Sequence, residues 1–82
     1  DKYPQKITNL SVDKDLPENI INIAIKEASD KFSDNDLRLI IRKSGTENCI
    51  RIMVEAKEVA LVNNASEKIK CFIKDKLNTL LL

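Results

Sequence analysis

Leu37-Arg38-Leu39-Ile40-Ile41-Arg42-Lys43-Ser44-Gly45-Thr46-Glu47-Asn48-Cys49-Ile50-Arg51-Ile52-Met53-Val54-Glu55 is the stretch that decides the fold. On both sides of Ser44-Gly45-Thr46-Glu47-Asn48 the residues alternate and β-branched side chains are frequent, which suits pleated strands. Leu37, Leu39 and Ile41 share one face of the first half, with Arg38, Ile40 and Arg42 opposite. In the second half Ile50, Ile52 and Val54 share a face, with Cys49, Arg51, Met53 and Glu55 on the other. A hairpin with one purely apolar face follows. Ser44-x-x-Glu47 also fits a helix capping box, but the alternation that follows it favours the hairpin.

Working outward, Ser33-Asp34-Asn35-Asp36 has side chains that satisfy their own backbone in a turn. As a metal site it would need six or more oxygens that one loop does not offer. Before it, from Pro17 to about Phe32, Ile20, Ile21, Ala24, Ala28 and Phe32 recur at helical spacing with Ile25 flanking, and Pro17 suits a first helical turn. Earlier still, Gln5 to Val12 reads as a strand with Ile7, Leu10 and Val12 as its apolar members, entered through an extended Tyr3-Pro4. Downstream, a helix begins near Glu58 and carries Leu61, Val62, Ala65, Ile69, Phe72, Ile73, Leu77 and Leu80, with Leu80-Leu81-Leu82 as its end.

The order β-α-β-β-α, with one apolar stripe per helix, predicts an α+β two-layer sandwich: a small antiparallel sheet with both helices on one face. Alternation does not say which hairpin strand the first strand joins, and it leaves room for a short fourth strand in the loops. Residues 1–82 read as a single domain.

Composition limits what such a domain can do. A chain of 82 residues buries roughly 60–65% of its unfolded surface, enough for one core but not for a deep cleft of its own. A net charge of +1 without a long basic run argues against a nucleic-acid module, and no apolar stretch reaches the ~20 residues of a membrane span. The absence of histidine excludes an imidazole base. Cys49 and Cys71 lack paired spacing, so both read as small buried hydrophobes in a reducing cytoplasm. Asp1 in place of an initiator Met suggests a piece of a longer protein.

The chemistry gathers at the hairpin tip. If the apolar face meets the helices, Arg42 and Arg51 both reach the opposite face at the loop end of the sheet. The single glycine, Gly45, is free to take positive φ and aim consecutive amides into one concavity, while Ser44 and Thr46 add hydroxyl donors. Such a nest suits a phosphate dianion. Paired strand arginines could equally be a solvated surface, but Ile40 and Met53 lie among them, which is too apolar for water alone and predicts contact with another domain or chain.

Arg42-Lys43-Ser44-Gly45-Thr46-Glu47, followed by Ile50-Arg51-Ile52-Met53-Val54-Glu55 and preceded far upstream by Tyr3-Pro4-Gln5, resembles the last domain (domain 4) of the bacterial phosphoglucosamine mutases, in the α-D-phosphohexomutase superfamily. The resemblance spans essentially the whole chain, and departs where Asn48 replaces the usual proline. It implies a TATA-binding-protein-like sheet and a substrate-phosphate site formed by Arg42, Ser44, Gly45 and Thr46, with Arg51 as helper and Glu47 as a sugar or loop-ordering contact. It further implies that no catalytic or metal-binding residue lies in this chain. The reaction implied is interconversion of glucosamine 6-phosphate and glucosamine 1-phosphate through a phosphoserine enzyme and a bisphosphate. The serine and a Mg ion belong to other domains of the same cytoplasmic chain, and neither nucleic acid nor membrane is a partner. A sister enzyme acting on mannose or glucose phosphates, and a non-enzymatic interaction module, stay open as alternatives.

Overall fold

The computed structural model describes residues 3–81. It contains β1 (Gln5–Ser11), α1 (Glu18–Lys31), β2 (Leu37–Lys43), β3 (Cys49–Ala56) and α2 (Val59–Leu80). The architecture is α+β, with a three-stranded antiparallel sheet in the order β1-β3-β2. Among the described residues there is no fourth strand; the nearest approach to one is the isolated bridge Asp34–Leu37. Asp34 Oδ1 accepts from the Asp36 amide at 2.9 Å, the side-chain turn expected of that cluster.

The pairing of β1 is the part that alternation left open. It lies against β3, with Leu10 opposite Ile50, Thr8 opposite Ile52 and Ile7 opposite Met53. Because β3 is antiparallel to both neighbours, β1 and β2 run parallel with β3 between them, and α1 carries the chain from one edge to the other. Leu10 is buried, whereas Ile7 is 53% exposed. Odd and even residues of a strand face opposite ways, so Ile7 and Leu10 belong to different faces and are not members of one apolar row. The strand ends one residue early, at Ser11, and the Val12 amide instead donates to the Asn48 carbonyl at 2.9 Å.

Both helices cover the face bearing Ile50, Ile52 and Val54, each wholly buried. Pro17 sits just outside α1, as its N-cap, rather than within the first turn. Ile21, Ala24 and Ala28 of α1 join Val62, Ala65, Ile69, Ile73 and Leu77 of α2 in one core, against which Leu37, Leu39 and Ile41 pack from the β2 edge. The helices are tied to each other by the edge-to-face pair Phe32–Phe72, with centroids 5.6 Å apart, and by Lys76 Nζ and Glu27 Oε1 at 2.8 Å. Leu61, in the expected apolar stripe, stays 39% exposed, at the end of the helix nearest the Lys57 corner.

The two cysteines part company. Cys49 is buried, but Cys71 is exposed on α2, since the buried stripe runs through its neighbours' positions Ile69, Ile73 and Leu77. Ser66 is buried and its hydroxyl has no hydrogen-bond partner among the described residues, an arrangement that costs about 1–3 kcal/mol. Ser66→Ala is therefore expected to raise stability by about 1 kcal/mol, helped by the higher helix propensity of alanine. Ile52→Ala, emptying the centre of the sheet's buried face, is expected to lower it by about 2–5 kcal/mol. Urea midpoints of the two variants test both.

Candidate functional site

The open face of the sheet, opposite the helices, is organised in rows across the strands. Gln5, Glu55 and Arg38 form one row, Ile7, Met53 and Ile40 the next, and Asn9, Arg51 and Arg42 the third. Glu55 Oε1 lies 3.8 Å from Arg38 Nη1, so the first row's arginine has a counter-charge. In the third row Arg42 and Arg51 stand directly opposite each other on neighbouring strands, and among the described residues neither has an acidic partner within ion-pair distance. Like charges placed this way destabilise a sheet by up to about 1 kcal/mol. An anion lying between them removes that penalty and gains charge-assisted bonds of about 1.5–3 kcal/mol each.

Arg42 and Arg51 line a shallow groove of about 190 Å³ together with Ile7, Ile40 and Met53. Sequence alternation had placed Ile40 and Met53 beside the arginines, and the β1 pairing adds Ile7. Ser44, Gly45 and Thr46 are not in its lining; they stand past its end, in the turn that joins β2 to β3. A larger cleft of about 500 Å³, between Tyr3, Leu37, Lys57 and Leu61, lies at the far end of the sheet, beside the paired Arg38 and Glu55. Its lining carries charges of both signs, Asp36, Glu55 and Glu58 beside Arg38 and Lys57, so no pair of like cations stands alone there.

The turn is held from within. The Ser44 amide donates to the Cys49 carbonyl at 2.9 Å, and the Cys49 amide donates to the Glu47 carbonyl at 2.9 Å. Ser44 Oγ accepts from the Glu47 amide at 3.3 Å, the backbone half of the capping-box pattern, formed here without a helix. Its O–H remains able to donate. The amides of Gly45 and Thr46 have no partner among the described residues, so two adjacent exposed donors sit at the tip of the turn that follows β2. Asn48 contributes its backbone carbonyl, which anchors the turn to the end of β1, a bond that does not depend on the side chain at position 48. The Thr46 and Glu47 side chains are exposed and make no hydrogen bond among the described residues.

One expectation is overturned. Gly45 does not have positive φ, nor does any other described residue. Five residues between paired strands allow the chain to reverse through successive bends in the ordinary negative-φ regions, whereas a two-residue hairpin turn would demand the left-handed one. The two open amides come from this wider turn, not from a left-handed glycine. The described residues contain no group of three or more Asp, Glu, Cys or His that could hold a metal ion.

Comparison with known proteins gives the family. A family model described as phosphoglucomutase/phosphomannomutase, C-terminal domain, matches residues 5–70. The chain belongs to this family. Among its curated relatives, the phosphoglucosamine mutase of Prochlorococcus marinus is 42% identical over 82 residues, covering 93% of this chain and 18% of the relative. Phosphoglucosamine mutases of Campylobacter fetus, 36% identical with 93% and 17% covered, and of Fusobacterium nucleatum, 38% identical with 92% and 18% covered, match similarly. The chain thus spans less than one fifth of the length of these relatives.

Asn9, which alternation gave no reason to single out, and Ile7 are the two residues of this face that sequence reasoning missed; both depend on the pairing of β1. A Cβ added at Gly45 meets no atom within 4 Å. Gly45→Ala is accordingly expected to leave the fold intact and to change stability by no more than about 1 kcal/mol, in the stabilising direction, through reduced freedom of the unfolded chain. Loss of more than that in urea denaturation would show that the turn needs a conformation only glycine provides.

Proposed function

We propose that this chain is the phosphate clamp of a phosphoglucosamine mutase, the domain that holds one phosphate of the sugar while groups elsewhere in the enzyme transfer another. The observation that carries it is the pair Arg42 and Arg51, opposed across β2 and β3 without acidic partners among the described residues, at the end of the sheet whose turn leaves the amides of Gly45 and Thr46 open. Arg42 supplies a planar fork of donors, the two amides and the Ser44 hydroxyl supply the rest, and Arg51 adds charge from the groove. Thr46 offers a further hydroxyl. Glu47, exposed at the tip, is placed to accept from a sugar hydroxyl.

The whole enzyme's reaction, glucosamine 6-phosphate to glucosamine 1-phosphate and back, passes through a bisphosphate whose two phosphates visit the clamp in turn. Phosphoryl transfer would belong to a phosphoserine in another domain of the same cytoplasmic enzyme, with a Mg ion bound there supplying charge neutralisation. This chain's part is to bind and orient. The apolar residues Ile7, Ile40 and Met53 of the same face suit contact with those other domains. The family description also covers enzymes of glucose and mannose phosphates, and the same clamp serves that second reading, because it touches the phosphate and not the groups that distinguish the sugars.

Inorganic phosphate added to the pure chain is expected to shift the amide resonances of Gly45 and Thr46, with an affinity that falls as salt rises. Arg42→Ala should weaken this binding about tenfold or more, consistent with loss of a bidentate charge-assisted contact. The chain alone should not convert glucosamine 6-phosphate. Shifts confined to other regions, or parental affinity in Arg42→Ala, would remove the clamp; turnover by the chain alone would show that it carries transfer chemistry.

A further inference from the structure

Arg51 occupies the middle of its row, with Arg42 on one side and Asn9 on the other. Asn9 Oδ1 accepts from Arg51 Nε at 3.4 Å, longer than the usual 2.7–3.2 Å but directed at one particular nitrogen. A guanidinium offers two edges for a pair of parallel bonds, one made by Nε with an Nη and one by both Nη atoms. With Nε engaged, only the second remains. Since Asn9 stands on β1 and Arg42 on β2, the same contact draws the Arg51 head toward the strand opposite Arg42.

From this geometry, and resting on the clamp proposed above, we infer that Asn9 is a positioning residue. It holds Arg51 so that its Nη edge faces an anion shared with Arg42, and keeps the two arginines apart when no anion is bound. Asn9 suits this role because its amide oxygen accepts without carrying charge. A carboxylate at the same place would hold Arg51 more firmly but cancel the positive potential that draws the anion. Neither β1 nor β3 needs the contact to fold: Asn9 and Arg51 are both exposed, and their strands are joined by backbone pairing along seven residue pairs.

The test is a phosphate titration of the chain and of Asn9→Ala, Asn9→Asp, Arg42→Ala and Arg51→Ala, following the Arg51 Nε–Hε resonance and its exchange with water, with circular dichroism confirming the fold. Asn9→Ala should speed Hε exchange and weaken phosphate binding about three- to fivefold, as loss of one hydrogen bond acting through a charged group would. Asn9→Asp should retain or increase Hε protection yet weaken phosphate binding at least as much, a separation of the two readouts that a merely structural side chain would not produce. Parental Hε exchange and parental affinity in Asn9→Ala, with affinity lost in Arg51→Ala, would overturn the role of Asn9 while leaving the clamp standing. Parental affinity in both Arg42→Ala and Arg51→Ala would overturn the clamp and with it the role of Asn9.

Discussion

Strand β3 is hydrogen-bonded along both edges, to β1 on one side and β2 on the other, and its alternation governs everything built on the sheet. Its even residues, Ile50, Ile52 and Val54, point to the helices and are fully buried. A one-residue slip would exchange them for Arg51 and Met53, placing a guanidinium in the core, so the register is specified strongly. Arg51, Met53 and Glu55 are thereby forced onto the open face, where each meets a fixed partner from each neighbour. Core packing thus determines which arginines oppose each other, even though none of them touches the core.

The open face is electrically uneven for the same reason. At the end near Leu37, Arg38 is compensated by Glu55; at the end near the turn, two arginines are opposed without an acidic partner among the described residues. Structures tolerate such an arrangement at modest cost when both heads reach water. Its persistence where the turn also exposes two open amides is what makes this end of the sheet suited to an anion. The turn itself is held by bonds among Ser44, Glu47 and Cys49 and by the Asn48 carbonyl, which leaves Gly45 and Thr46 projecting from a braced base.

A chain of this size presents a face rather than enclosing a site. The groove beside the arginines is about 190 Å³ and shallow, too small to remove a sugar phosphate from water. That agrees with the span of its relatives, of which it covers less than one fifth. The helices occupy the other face completely, so any further part of a site must approach from the side that carries Ile7, Ile40 and Met53.

Local pattern alone determined a great deal. The order of elements, the hairpin, the burial of Ile50, Ile52 and Val54, and the placement of Arg42 and Arg51 on one face all follow from residue spacing, because period two and period 3.6 are properties of neighbouring residues. Five things were decided only by tertiary structure. The pairing of β1 with β3 is a long-range choice, and with it came the outward turn of Ile7 and the contact of Asn9 with Arg51. Exposure of Cys71 depends on how α2 is rotated about its axis when it meets the sheet. The conformation of Gly45 depends on how many residues the paired strands leave for the turn: composition marked the glycine as free to take positive φ, but five residues between fixed ends can reverse without it. Spacing along a chain constrains which way a side chain faces, whereas which partner it meets there is set by strand pairing across distances that no local pattern encodes.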